Sequence, residues 1–122
     1  MRYLMKLHDE GQDWYLEWDT EMDAPATQGM TLEDFKEYYS NRYGPHRLLS
    51  IGERLRRVEA TGTSSQSHTL DELIGWNRAG KDRTRLTKDQ IIEWYIRHRG
   101  EFWKGCQLEG TPVNEGPAGT SG

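Results

Sequence analysis

The chain reads as an α+β protein: a small antiparallel sheet built on an N-terminal β-hairpin and covered by three or four α-helices. Two short segments with period-two alternation lie close together at the start, at Arg2–His8 and Trp14–Trp18. Helical spacing then takes over, most clearly from Thr87 to Trp103. A two-stranded hairpin is marginal in water, so its apolar face needs helices across it, or another strand.

In the first segment Tyr3, Met5 and Leu7 fall on one side, with Arg2, Leu4 and Lys6 on the other. In the second, Trp14, Leu16 and Trp18 share a side. Asp9-Glu10-Gly11-Gln12 between them suits a four-residue hairpin loop. That loop pairs Leu7 with Trp14, Met5 with Leu16 and Tyr3 with Trp18, so all six share one face. Arg2 then pairs with Asp19 on the other face.

Residues 19–30 form a connection with turn residues Pro25 and Gly29. Thr31 is placed to cap a helix carrying Leu32, Phe35, Tyr39 and Tyr43, which Gly44-Pro45 ends. Leu48, Ile51, Leu55 and Val58 step by three and four, predicting a helix from Arg47 to Glu59 interrupted only by Gly52. The alternative is a third strand from residues 54–64. Thr69 with Glu72 predicts a short capped helix bearing Leu70, Leu73 and Ile74. Asn77–Arg85 is a basic loop.

Thr87 and Gln90 form a second capping box, with Ile91, Ile92, Tyr95 and Ile96 on one face behind it. Arg97, His98 and Arg99 suit the negative end of the helix dipole. Gly100 is placed for the left-handed residue past the end, and Phe102 or Trp103 for folding back. From Gly105 the chain is Gly-rich with little to bury. The expected division is one domain over 1–104 and a disordered tail over 105–122, so that truncation after Lys104 leaves the fold intact. The expected core joins Leu7, Trp14, Leu16, Trp18, Phe35, Tyr39, Leu55, Ile92, Tyr95 and Ile96 in one cluster.

The 122 residues are one domain's worth, and the mean hydropathy of −0.97 is low. Five Trp, six Tyr and two Phe still supply large buried areas from few residues. A net charge of −4 disfavours a general nucleic-acid coat while leaving a local basic patch open. The single Cys106 has no intrachain partner, and the N-terminal stretch has no long apolar run. Together they point to the cytoplasm and to neither a signal peptide nor a membrane span.

No catalytic signature emerges. Asp19, Glu21 and Asp23 alternate as in calcium loops, but Ala24 and Met30 stand where the glycine and the distal glutamate belong. His8, His46, His68 and His98 are scattered without zinc-ligand spacing. Thr61-Gly62-Thr63-Ser64-Ser65 lacks the phosphate-loop pattern, and Cys106 has no base at hand. No metal, cofactor or catalytic residue is therefore expected.

Charge is more informative. Residues 9–24 carry a local charge of −7, and residues 78–88 carry +4. Arg54, Arg56 and Arg57 make a second basic cluster. The candidate interaction surface is Asp19, Glu21, Asp23, Arg54, Arg56, Arg57, Trp76, Arg78, Lys81, Arg83 and Arg85. The two poles face each other, simply keep the protein soluble, or meet a partner. Trp76 and Trp94 fall off their helices' stripes, so either those helices are buried on two sides or a Trp is an exposed anchor.

The segments WYLEW (Trp14–Trp18), DAP (Asp23–Pro25), GMTLEDFKEYY (Gly29–Tyr39), GTSS (Gly62–Ser65) and NRAGKD (Asn77–Asp82) resemble small accessory proteins of actinobacteriophages. The resemblance spans residues 1 to about 100. It implies a protein made inside an infected bacterium that binds a host or phage macromolecule, and it brings no activity or site residue with it. The leading expectation is a non-catalytic factor that binds a protein partner. The alternatives are a nucleic-acid binder using Arg54–Arg57 and Arg78–Lys88, a toxin-immunity-type inhibitor, and a small enzyme of another kind. Homodimerisation is open.

Overall fold

The computed structural model describes residues 1–113. Strands β1 (Arg2–Asp9) and β2 (Gln12–Asp19) pair in the expected register, with Leu7 opposite Trp14, Met5 opposite Leu16, Tyr3 opposite Trp18 and Arg2 opposite Asp19. The turn is tighter than expected. Asp9 already pairs with Gln12, so Glu10 and Gly11 alone reverse the chain, at φ 51° and 78°. That primed geometry matches the right-handed twist of the flanking strands. A two-residue strand β3 (Ala24–Pro25) adds to the other edge of β2, where an edge position tolerates proline. The third strand thus comes from the 19–30 connection. Residues 52–61 are helical and pack on the sheet, and only the segment just after them bonds to it backbone to backbone: Gly62 and Ser64 bond to Lys6 and Leu4 along the outer edge of β1.

Helix α1 (Leu32–Tyr43) starts as expected, the Thr31 hydroxyl accepting the Asp34 N–H at 3.1 Å, and ends at Gly44 (φ 94°). The helix expected over Arg47–Glu59 is two: α2 (Pro45–Leu49) and α3 (Gly52–Thr61). The Ser50 hydroxyl donates to the Arg47 carbonyl at 3.1 Å, and the Ile51 N–H turns instead to Leu48. A side chain competing for helical acceptors breaks the ladder there. The four apolar residues at helical spacing still face the same cluster across the break. Helix α4 (Leu70–Gly75) has both halves of its capping box.

The segment after Thr87 also has both halves of its box, but it is not one α-helix. Helix α5 (Lys88–Ile92) widens into a π-helical turn over Glu93–Arg97, closed by the His98 N–H on the Glu93 carbonyl at 2.9 Å. A 3₁₀ segment follows over Arg99–Lys104. The wider turn advances fewer degrees per residue, so the consecutive Trp94, Tyr95 and Ile96 are all buried. Gly100 lies inside the 3₁₀ segment, and the left-handed residue is Gly105 (φ 75°). Phe102 packs edge-on against Tyr95 at 5.9 Å, while Trp103 stays exposed.

The expected single core is divided by the sheet. Met5, Leu7, Leu16 and Trp18 pack on one face with residues of α4, α5 and the π-turn, together with Ala79 and Leu86. Leu4 and Tyr15 pack on the other face with Phe35, Tyr39, Ile51 and Val58. Leu7, Trp14, Leu16, Trp18, Ile92, Tyr95 and Ile96 therefore belong to one layer, and Phe35, Tyr39 and Leu55 to the other. The strands are buried on both sides.

Asn77 organises the first layer. It is fully buried, and its amide group donates to the carbonyls of Ile74 (2.5 Å) and Leu86 (2.8 Å). Its oxygen accepts the N–H groups of Ala79 (3.1 Å) and Leu86 (2.9 Å). One side chain thus satisfies backbone that no ladder reaches.

The part of the expected tail that the structure describes is docked. The Lys81 N–H donates to the Leu108 carbonyl, Arg85 and Thr111 exchange two backbone bonds, and the Gly110 N–H meets Thr84 Oγ1. Cys106 and Leu108 pack against the first layer. A Cβ at Gly110 would stand 1.9 Å from the Arg85 carbonyl oxygen, so only glycine permits this approach. Packing does not end at Lys104. The rest of the expected tail, residues 114–122, lies outside the described residues.

Two stability tests follow from this packing. Asn77→Ala strands three buried backbone groups, the Leu86 carbonyl and the N–H groups of Ala79 and Leu86, and should cost about 3 kcal/mol or more in urea unfolding. Truncation after Lys104 should lower the melting temperature by several degrees, and Gly110→Val should reproduce most of that loss. An unchanged melting curve for both would mean that the 106–111 segment contributes nothing.

Candidate functional site

The second face of the sheet carries a buried acid. Glu17 follows the strand alternation away from Leu16 and Trp18, and helix α1 closes over it, leaving it 1% exposed. A lone buried carboxylate is costly, so it must be bonded. Tyr38 and Tyr43, on the inner side of α1, donate their hydroxyls to Glu17 Oε1 at 2.5 and 2.9 Å, and Tyr43 also reaches Oε2 at 2.9 Å. Arg2, two residues off register on β1, donates to Oε1 at 3.1 Å. Burial, and then the bond to Glu17, push the Tyr38 and Tyr43 hydroxyls well above the ordinary phenol range.

Around this cluster the arginines gather. Arg54 on α3 donates to the Tyr39 hydroxyl (3.0 Å) and to the Arg2 carbonyl (2.9 Å). The guanidinium carbons of Arg42 and Arg47 lie 5.3 and 5.5 Å from the centre of the Tyr43 ring. Arg2, Glu17, Tyr39, Tyr43, Arg47 and Arg54 enclose a cavity of about 240 Å³. A second cavity of about 310 Å³ shares Arg2 and Arg54 with the first and extends past Arg57 to Ser64 and Ser67. Arg57 is aimed by its bond to the Ser64 carbonyl at 2.9 Å. The two cavities make one groove lined by four arginines, whose single acid is the already engaged Glu17.

Of the candidate residues read from the sequence, this groove includes Arg54 and Arg57. Arg56 points away and pairs with Glu53 on its own helix. The 78–85 loop is elsewhere, at the β3 edge. Arg78 donates its N–H to the Asp23 carbonyl, and the Arg83 side chain donates to the Met22 carbonyl at 2.8 Å. Asp19 caps its own turn by accepting the N–H of Glu21 at 2.8 Å, Glu21 lies near the N-terminal amine, and Asp23 sits at φ 53°. The acidic connection and the basic loop therefore meet each other, one of the arrangements weighed from their charges. Lys81 and Arg85 are exposed, and their backbones hold the 108–111 segment. Trp76 remains 46% exposed, edge-on to His68 at 5.1 Å, and Trp94 is buried.

Sequence reading passed over Arg2, Glu17, Tyr38, Tyr43 and Arg47. One signal was available: Leu4 and Tyr15 on the supposedly polar face show that this face is also covered, and Glu17 lies beside them. Among the described residues no helix is long and apolar enough to cross a membrane. Compared with family models, curated proteins and solved structures, the chain matches none.

The raised tyrosines set an alkaline limit. A group whose folded pKa exceeds its unfolded value stabilises fully below the unfolded value, near 10 for tyrosine, and loses that contribution as pH rises through the folded value. Stability should hold to about pH 10 and then fall, with tyrosinate absorbance from Tyr38 and Tyr43 appearing together with unfolding. Tyr38→Phe should cost about 1.5–3 kcal/mol at neutral pH, because it removes a bond to a charged acceptor. Early ionisation of both tyrosines in the folded protein would contradict their burial against Glu17.

Proposed function

We propose that this is a non-catalytic binding protein whose arginine groove docks an anionic segment of another protein. The observation that supports it is the groove: Arg2, Arg47, Arg54 and Arg57 line two adjoining cavities, and the one acid among them is neutralised from beneath. Arginine suits such contacts because its planar fork binds oxyanions in pairs of hydrogen bonds and is weakly hydrated. Arg2 and Arg54 are held by protein bonds before any partner arrives, which lowers the ordering cost of association. The resemblance to actinobacteriophage accessory proteins supports a partner met inside an infected bacterium.

Nucleic acid is the second reading, favoured by the same arginines. Against it stand the net charge of −4 and the position of the second basic segment, at the β3 edge rather than beside β1. The sites of Arg54–Arg57 and Arg78–Lys88 do not form one track.

Affinity capture from a bacterial lysate, with and without nuclease, separates the two. A protein partner should survive nuclease and be lost by Arg47→Glu with Arg57→Glu, in a variant shown to be folded by circular dichroism. Loss of every partner on nuclease treatment would favour nucleic acid. In that case oligonucleotide affinity should fall with salt at a log–log slope of about −3.6 for four contacts at ~0.9 each. Capture indifferent to the double charge reversal would remove the groove from the proposal.

A further inference from the structure

We infer that the cavity between Arg2, Arg47 and Arg54 is a phosphate subsite that takes a single phosphate monoester group, as free inorganic phosphate or as a phosphorylated side chain of the partner. The inference rests on reading the groove as the anion-facing surface, and names what its inner end recognises.

Three guanidinium groups line this cavity, and the fold aims two of them. Arg54 is held at both terminal nitrogens, by Tyr39 and by the Arg2 carbonyl. Arg2 is held at one terminal nitrogen by Glu17, with Tyr43 at 3.3 Å, leaving its other donors uncommitted. The Arg47 side chain is exposed and lies over the Tyr43 ring, and its guanidinium makes no hydrogen bond or ion pair among the described residues. Tyr43 cannot swing away from beneath it, because its hydroxyl is fixed to both oxygens of Glu17. The result is two preset forks and one mobile arm, an arrangement suited to closing on an oxyanion.

Charge and size select the oxyanion. Three arginines against Glu17 leave the cavity at +2. A phosphate monoester carries about −1.5 to −2 near neutral pH, which neutralises that excess, whereas a carboxylate or a phosphodiester leaves half of it. Both Glu17 oxygens already accept hydroxyl bonds, so the carboxylate serves to hold Arg2 and Tyr43 rather than to meet the ligand. The volume, about 240 Å³, is below the ~300–1,000 Å³ of pockets that enclose drug-sized ligands. It suits one tetrahedral group entering from the groove. Nor is there a seat for a base: Tyr39 is buried, and the Tyr43 ring carries Arg42 and Arg47.

The test is calorimetric titration of the full chain with inorganic phosphate at constant ionic strength, with melting temperature as a second readout. One-site binding is expected, weakened at least tenfold by Arg47→Ala. That variant should melt like the parent in the absence of phosphate, because the exposed Arg47 guanidinium makes no hydrogen bond or ion pair among the described residues and its carbonyl bond to Ser50 is kept. Phosphate should raise the melting temperature of the parent and not of the variant. A phosphoserine hexapeptide and its unphosphorylated form identify the source. Tighter binding of the phosphopeptide than of inorganic phosphate means that the group arrives on a protein. Equal binding of the two means that it arrives free. Equal phosphate binding by parent and Arg47→Ala, or equal effects of acetate, would overturn the subsite. So would an oligonucleotide with only diester phosphates competing as well as the monoester. If phosphate binding fails while partner capture remains sensitive to Arg47→Glu with Arg57→Glu, the docking proposal stands without the subsite.

Discussion

Cover on both faces of the sheet leaves the middle of β2 no solvent side. Every residue of β2 from Tyr15 to Trp18 is buried, including Glu17. Apolar positions meet this condition by packing, Leu16 and Trp18 on one side and Tyr15 on the other. Glu17 meets it only with hydrogen bonds, because a carboxylate withdrawn from water must be paired and bonded. The bonds it receives decide how α1 sits, since Tyr38 and Tyr43 stand one turn apart or slightly more on its inner side. They also decide where the Arg2 side chain points, while Arg54 is anchored beside it on the Arg2 main-chain carbonyl and the Tyr39 hydroxyl. The groove arises as the polar margin of a buried ion.

The first layer solves the same problem with a neutral group. The chain from Asn77 to Leu86 is loop apart from a 3₁₀ turn at Lys81–Arg83, and its backbone has no ladder to join where it enters the core. Asn77 supplies two donors and two acceptor bonds from one buried amide, and the Tyr95 hydroxyl adds a bond to the Ala79 carbonyl at 2.8 Å. The loop thereby becomes a fixed edge, and the segment from Cys106 to Thr111 adds to it. Arg78, Lys81 and Arg85 are thus structural through their backbones, and Arg83 also through its guanidinium on the Met22 carbonyl. This explains why a run of positive charge in the sequence is not, by itself, the more promising surface.

The contrast between the two basic clusters is one of surroundings. Arg78 and Arg83 lie against the 22–23 turn, Arg78 through its backbone N–H on the Asp23 carbonyl and Arg83 through its guanidinium on the Met22 carbonyl. Arg2, Arg47, Arg54 and Arg57 line a concavity, where low-dielectric walls strengthen the attraction for an anion.

The sequence alone determined the hairpin, its register and the capped helix starts, because each depends on residues close together in the chain. Alternation places Leu7 opposite Trp14, and a Thr three residues before Glu72 or Gln90 forms its box locally. It also pointed to ten of the apolar residues that pack in the interior, but not to Leu4, Tyr15, Ala79, Leu86 or Trp94, nor to the sheet separating them into two layers. What lay outside its reach depended on contacts across long stretches. Glu17 is an unremarkable strand acid until Tyr38, Tyr43 and Arg2 close on it. The segment after Gly105 has too little apolar surface to predict order, yet it docks because Arg85 offers it an unpaired edge and Gly110 lets the backbones touch. The π-turn that buries Trp94 is likewise a tertiary outcome, since local propensity favours the regular α-helix and only packing on both flanks of the segment favours the wider turn. Local rules place elements in the chain; the burial of both sheet faces decides which polar groups they must bring together.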